Sequence, residues 1–409
     1  ALDTFVYLTA FTRGLSPASL IWDIPGKTNV ENFDGEYHGP MRLRVALAND
    51  YQAPTAQLLG QMGVDNVSRI AASFGVSREE QLSLLDAAGA YGVFAQGGVY
   101  FGQEVNDSFG PVTILRVEGN DGSLWLDWTT PQAKPVLTPG LAYLMNHTLS
   151  DETARWPSFG QPNVTEIGRP ASVKLGQTED GLDTWAIGYS PSRVITVWTG
   201  AREPSTLPGE QRRMSARAPA VLWSALMQVA SQNLPRDSWA APADVSVINV
   251  CDPSGMLPTS DCPNLVSEVF LSGNEPVQPD NMYRRYAVNR ETGLLATVFT
   301  LPQLVEERVY LVVPPEARSW AESKGLEIPP ATYDVIQPPQ INPDVIIMSP
   351  ELFTEVDGVV NIMGTAAGEG FVSYRVLVGQ GLNPQEWIQV AEGNEPVTSK
   401  VLAEWDTNG

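Results

Sequence analysis

Two cysteines and two histidines are the only thiol and imidazole side chains in this 409-residue sequence. His38 and His147 both lie more than 100 residues from the cysteines. No Cys/His cluster can therefore be read from spacing, and neither a metal nor another cofactor is expected. The chain has no run of about 18 apolar residues, so no membrane-spanning helix is expected. No secretory signal pattern opens it either. Basic residues are also few: 25 Lys and Arg stand against 47 Asp and Glu, a formal net charge of −22. A phosphate backbone would be repelled over most of such a surface, which sets nucleic acid aside as a partner. Beyond that exclusion, acidity is a plain solubility device. Low-complexity tracts and internal repeats are absent as well.

What is present is core-forming material. Hydrophobic residues make up 43% of the chain and 11 Trp are spread along it, which argues against disorder and gives room for about two to four domains. The first residues, ALDTFVYLTAFTRGL, begin in mid-pattern, with Phe5, Leu8 and Phe11 on one helical face. The last, VLAEWDTNG, stop within a strand and turn, so an internal piece of a longer protein is expected. Cys251 and Cys262 bracket a turn-rich segment, CDPSGMLPTSDC. A pair this close points to a disulfide and an oxidising compartment, with two free thiols as the alternative.

Residues 1–235 read as mixed α/β. Helical periodicity covers 41–61, 65–74, 81–95 and 219–233. Pro54 is expected to kink or break the first of these, and Asp65 and Ser68 occupy helix-start positions. Strand-like runs follow: VTILRVE, SLWLDW, TWAIGYS and RVITVWTG, the last two joined by Ser190-Pro191-Ser192 as an antiparallel hairpin. A sheet with helices on both faces fits this order better than a parallel βαβ array. Residues 236–344 are Pro-rich and irregular, with one expected strand pair, LLATVFT and RVYLVVP, and a short helix in PPEARSWAESKG. From Val345 the pattern becomes short alternating strands with turns every ~8–12 positions. That predicts an immunoglobulin- or fibronectin-like β-sandwich over 345–409, incomplete because five strands leave an open edge.

A family resemblance enters with particular blocks. FVYLTAFTRGLSPAS, NFDGEYHGPMRLRVALANDYQAPTAQLLGQMGV, YGVFAQGGVY, LTPGLAYLMNHTL, VKLGQTEDGLDTWAIGYSPSRVITVWTG and APAVLWSALM occur in one order over about 230 residues. Together they resemble the transpeptidase domain of class A, bifunctional penicillin-binding proteins. The later CDPSGMLPTSDC stretch and the NIMGTAAGEGFVSYRVLVGQGLNPQEWIQV module are similar to C-terminal extensions of some members. The resemblance implies an α+β, β-lactamase-like fold: an antiparallel sheet flanked by helices.

It also implies three motifs converging on one cleft, and in this chain all three are altered. In S-x-x-K a serine attacks and a lysine removes its proton; here the lysine position is Asp3, and the serine would precede Ala1. A carboxylate can accept a proton but cannot stabilise an alkoxide. The S-x-N position reads Asp50-Tyr51-Gln52, leaving Gln52 able to contact an amide. The K-T-G position reads Lys174-Leu175-Gly176, followed by Gln177 and Thr178. Lys174 and Gly176, with Thr178 and Gln52, are the candidate ligand-binding residues; Leu175 has no hydroxyl to offer. Plainer roles compete: Lys174 as a solvated strand lysine, Asp3 and Asp50 as helix-end residues. A glycosidase-like carboxylate pair at Asp3 and Asp50 is a remoter reading. His38 and His147 are expected to be structural. Trp185, Trp198, Trp223, Trp387 and Trp405 are expected in cores.

The expected function is therefore a catalytically inactive transpeptidase-like scaffold in the bacterial cell envelope. Its expected partners are envelope proteins or peptidoglycan, with a membrane reached only through an upstream anchor. Two alternatives stand beside it: an active D,D-transpeptidase with atypical motifs, or the regulatory part of a longer peptidoglycan glycosyltransferase.

Overall fold

The first helix is buried on every side. In the computed structural model, α1 (Asp3–Thr12) has Thr4 through Phe11 all inaccessible to solvent, where one apolar face had been expected. It runs through the centre of the largest core, touching Leu47, Leu58, Phe74 and Phe94. Its polar groups are satisfied internally, as burial requires. Thr4 and Tyr91 share a hydrogen bond of 2.7 Å, and Tyr7 pairs with Thr55 at 3.0 Å. The structure describes residues 3–77, 82–105, 108–178, 180–200, 217–334, 342–351, 354–381 and 384–408.

The chain divides into two compact units, residues 1–282 with 313–324, and residues 283–312 with 325–409. In the first, the hairpin β1 (Leu20–Asp23) and β2 (Gly39–Arg42) leads into helices α2 (Leu43–Ala48), α3 (Gln52–Met62), α4 (Val64–Ser73) and α5 (Leu84–Ala95). The break in the first long helical pattern falls at 49–51, before Pro54, which lies in the first turn of α3. A first-turn residue has no helical acceptor for its N–H, so proline costs little there. Asp65 likewise sits inside the first turn of α4, and Ser68 in its body.

Next come β3 (Val99–Val105), β4 (Ser108–Gly110), β5 (Arg116–Glu118), β6 (Leu124–Asp127) and β7 (Gln132–Pro135), paired β4-β3-β7 and β5-β6. Helices α6 (Pro139–Leu149) and α7 (Glu152–Phe159) follow. The central sheet is β8 (Ser172–Gln177), β9 (Asp183–Ser190) and β10 (Arg193–Gly200), antiparallel in the order β10-β9-β8. The expected hairpin is present, with Ser190 opposite Arg193. Alternation along β9 sends Ile187 and Tyr189 into the large core and Ala186 into a second core against α8 (Arg217–Ser231). Gly188 lets that helix approach: a Cβ there would lie 2.4 Å from the Trp223 indole. Trp223 is fully buried, but Trp198 and Trp387 are exposed, against expectation. Trp198 faces outward on β10, and Trp387 lies just before β18.

Residues 241–282, read as irregular, instead form the hairpin β11 (Val245–Cys251) and β12 (Leu265–Leu271) within the first unit. The Cys251–Cys262 disulfide is present, with Cα atoms 5.8 Å apart. An ionic knot fastens this hairpin to the helical part. The Glu268 carboxylate is fully buried and accepts from Arg42 Nη1 at 2.8 Å and Arg44 Nε at 2.9 Å. Arg42 Nε also bonds Asp252 at 2.6 Å, while Arg44 reaches the His147 carbonyl at 2.8 Å and Asp151 at 3.3 Å. Burial opposes the charges of Arg44 and Glu268, yet mutual attraction holds Arg44 above its ordinary pKa and Glu268 below its own. The first unit is completed by α9 (Arg318–Ser323), in the expected helical segment.

In the second unit, β13 (Tyr283–Asn289) pairs with β14 (Val305–Leu311). The expected LLATVFT strand is corrected. Leu295 makes only isolated bridges, and Thr297 and Thr300 close a turn through their backbone and hydroxyl groups. The five C-terminal strands all form: β15 (Val345–Ser349), β16 (Val359–Ala366), β17 (Tyr374–Val378), β18 (Ile388–Gly393) and β19 (Val397–Asp406). They make two antiparallel sheets, β15-β16-β19 and β17-β18, around Ile362, Val376 and Leu402. Among the described residues no helix is long and apolar enough to cross a membrane.

Candidate functional site

Asp50 owes its position to a forced turn. α2 ends at Asn49, and Asp50 adopts a left-handed backbone with φ of 58°, a conformation that Asp tolerates better than most residues. Asn49 locks the turn to α7. Its amide donates to the carbonyls of Val45 (2.9 Å) and Ala154 (2.6 Å), and its oxygen accepts from Ser158 N–H at 3.0 Å. The chain then enters α3 at Gln52.

Opposite lies β8, the edge strand of the central sheet, carrying Lys174, Leu175 and Gly176, all buried. The Lys174 ammonium is 3% exposed, forms an ion pair with the Asp50 carboxylate and donates to the Leu175 carbonyl at 2.7 Å. Burial pushes the Asp50 carboxyl above the ordinary aspartate range; Lys174 pulls it down and the charge of Asp3 adds to the rise. A cavity of about 260 Å³ opens here, lined by Phe33, Asp34, Asp50, Gln52, Leu175 and Gln177 among others. Lys174 is not among its lining residues, because Asp50 stands between the ammonium and the opening.

The other residues singled out on sequence are engaged in the fold. Gln52 donates to the Asp50 carbonyl and accepts from Phe33 N–H at 3.2 Å, so both ends of its amide are in use. Thr178 bonds Asp180 at 2.6 Å and caps the turn between β8 and β9. Asp3 lines a different, mainly apolar cavity of about 280 Å³ with Val6, Leu59 and Val67. It acts on the first cavity only through its field. Asp50, Gln52, Leu175 and Gln177 are thus brought together, while Asp3 and Thr178 are not.

Sequence reasoning missed the loop between β1 and β2, which supplies Phe33 and Asp34 to the cavity. His38 organises this loop. Its Nδ1 lies 2.9 Å from Asp23, its Nε2 3.1 Å from Asp34, and its ring stacks on Tyr51 at 3.9 Å. Burial alone would lower the imidazole pKa, but the Asp23 hydrogen bond and the charges of Asp34 and Asp23 outweigh it and raise it. The only signal in the sequence was one histidine between acidic residues in a turn. His147 shifts the other way, lowered by burial and by the adjacent Arg44.

Comparison with known proteins agrees with this layout. A family profile described as "Penicillin-binding protein 1A, C-terminal domain" matches residues 241–285. Penicillin-binding protein 1A of Clostridium botulinum is 28% identical over 305 residues, covering 69% of this chain and 35% of its own. Penicillin-binding protein 1C of Escherichia coli K12 is 29% identical over 283 residues, with coverage of 67% and 35%. The chain is thus similar to penicillin-binding proteins 1A and 1C. It spans about a third of the length of these relatives. The crystal structure of penicillin-binding protein 1A from Haemophilus influenzae superimposes with a TM-score of 0.55 at 22% identity, covering 68% of this chain and 48% of that one. A penicillin-binding protein from Mycobacterium tuberculosis gives 0.50 at 18% identity, with coverage of 59% and 70%. The shared fold is α+β with antiparallel sheets, as in penicillin-binding transpeptidase domains. The 241–285 match falls on the hairpin that the Glu268 knot ties to the helices.

Proposed function

We propose that this chain is a penicillin-binding transpeptidase-like domain with a disabled cleft, acting as a scaffold or binding module in the bacterial cell envelope in connection with peptidoglycan. The observation that carries the reading is the Lys174–Asp50 ion pair. A lysine that recruits an anionic peptide terminus must present its charge to the cleft. Here that charge is neutralised within the fold and lies 3% exposed behind a carboxylate. Leu175 beside it offers no hydroxyl, and Asp3 cannot supply the positive charge an attacking alkoxide needs. One positioned proton-transfer group is worth roughly 10²–10⁴-fold, and three motif positions are changed together.

The framework around the cleft is intact, which suits a platform. The disulfide suits an oxidising, extracytoplasmic location. Residues 236–344 act as an extension whose first hairpin braces the transpeptidase-like part. Residues 345–409, two sheets about one core, form an immunoglobulin- or fibronectin-like contact module. A membrane anchor, and any glycan-polymerising domain, would come from sequence upstream. The test is incubation of this chain, and of one extended upstream, with a fluorescent penicillin. No covalent label is expected on either; stoichiometric labelling would refute the reading.

A further inference from the structure

The cavity at Asp50 takes part of its wall, Phe33 and Asp34, from the connection between β1 and β2. His38 ends that connection with both ring nitrogens on carboxylates: Nδ1 lies 2.9 Å from Asp23 and Nε2 3.1 Å from Asp34. A carboxylate oxygen only accepts, and a neutral imidazole carries a single N–H. Both contacts are therefore hydrogen bonds only when the ring is an imidazolium.

The two carboxylates differ in what they lose with the proton. The Asp23 side chain is fully buried, and its Oδ1 has no partner among the described residues. Its Oδ2 also accepts from the His38 backbone N–H at 3.0 Å and from Asn32 at 2.8 Å. Asp34 is half-exposed, so water can solvate it. When the ring is neutral, its one N–H stays on Asp23, because an unpaired buried charge is the costlier of the two. Nε2 then turns a lone pair toward Asp34, and attraction becomes repulsion. No neighbouring group takes over. Glu36, the other acid of the loop, is engaged by Lys324 at 2.7 Å, and Tyr51, stacked on the imidazole, carries no charge.

The remaining ties of the loop do not titrate. Asn32 accepts from Ala53 N–H at 3.0 Å and donates to the Glu36 carbonyl at 2.8 Å, and Phe33 N–H donates to Gln52 at 3.2 Å. Both ends of the 32–36 turn thus stay anchored, and the change is confined to its tip. Gly35 closes that tip, with φ of 74° and its N–H on the Asn32 carbonyl at 2.9 Å.

We propose that His38 is a proton-operated latch on the cleft: its imidazolium holds Asp34 at the cavity wall, and loss of the proton frees the tip of the turn and bares a carboxylate at the opening. The cleft then repels anionic partners more strongly as pH rises. This regulation rests on reading the cavity as the binding cleft.

Two measurements on the whole chain test the latch without any ligand. NMR titration of His38 should give a midpoint above 6.5, and a lower one in Asp34→Asn, which removes one of the two facing charges. Hydrogen exchange of residues 32–36, corrected for the pH dependence of intrinsic exchange, is compared well below and well above that midpoint. It should quicken about three- to fivefold above the midpoint, as suits one partly exposed ion pair, and show no such step in Asp34→Asn. Asp34 is half-exposed, so this variant leaves the core untouched. Exchange that does not change across the midpoint, a step retained in Asp34→Asn, or a midpoint unmoved by that substitution would overturn the latch. The two failures are distinguishable: penicillin labelling refutes the disabled cleft, whereas a flat exchange profile refutes only the latch.

Discussion

Replacing Lys174 by Met keeps the length of the side chain and removes its charge, which leaves the Asp50 carboxylate without its partner. Asp50 is 12% exposed and Lys174 3% exposed at their side chains, so water replaces little of the lost attraction. Breaking a buried pair from one side costs about 3–5 kcal/mol, and the residual exposure of Asp50 places this case near 3 kcal/mol at neutral pH. The penalty should depend on pH in a definite sense. Burial, aided by Asp3 and opposed by Lys174, already raises the Asp50 pKa. The folded state therefore holds the proton more tightly than the unfolded chain. Stability attached to this group falls as pH rises from the ordinary aspartate value through the folded value. Lys174→Met removes the main opposing attraction, so the fall becomes larger and extends to higher pH. Urea unfolding at pH 5 and pH 7.5, followed by tryptophan fluorescence, reads this directly. Only Trp387 and Trp405 of the 11 tryptophans belong to the second unit, so the signal reports mainly the first. Adding Asp50→Asn to Lys174→Met should recover about 2 kcal/mol, because a neutral amide costs less to bury. A single variant that loses under about 1 kcal/mol, with no pH dependence, would show that the pair is solvated and the reasoning wrong.

Glu268→Ala strips Arg42 and Arg44 of the carboxylate they share and should cost about 3–5 kcal/mol in urea unfolding. Burial works against the Glu268 charge, but the Arg44 hydrogen bonds and charge outweigh it. The wild-type contribution is thus present above the ordinary glutamate value and lost as pH falls through the lower folded value. The chain has two histidines, so NMR titration can resolve both: His38 should titrate above 6.5 and His147 below it. The His38 contribution is complete below pH 6.5 and disappears as pH rises through its folded value, and His38→Ala should abolish that slope. Reducing Cys251–Cys262, which closes a loop of 11 residues in sequence separation, should lower stability by about 2–3 kcal/mol in denaturation with and without reductant.

Patterns of local origin were legible in the sequence. The β9–β10 hairpin, the five C-terminal strands and the disulfide all follow from turn chemistry and periodicity over a few residues. What escaped was set by contacts between distant segments. LLATVFT has strand propensity, but β14 had already been claimed by β13, so Leu295 is left with single bridges. Glu268 reads as an ordinary strand glutamate until Arg42 and Arg44, more than 200 residues earlier, are brought against it. At the cleft, the aligned positions named Asp3, Asp50, Gln52, Lys174, Leu175 and Gly176, and of these Asp50, Gln52 and Leu175 line one cavity. That Lys174 is spent on Asp50 could not be read from either residue alone, since a strand lysine and a turn aspartate are each common in solvent. Phe33 and Asp34 were invisible because a loop carries no period.

The central claim, a cleft unable to form an acyl-enzyme, is tested most directly by intact-protein mass spectrometry after incubation with benzylpenicillin, using a chain extended upstream through the serine position. The unmodified mass is expected at every time point, with Lys174 held by Asp50. An added mass equal to one penicillin per chain, removed by replacing a single serine, would contradict it.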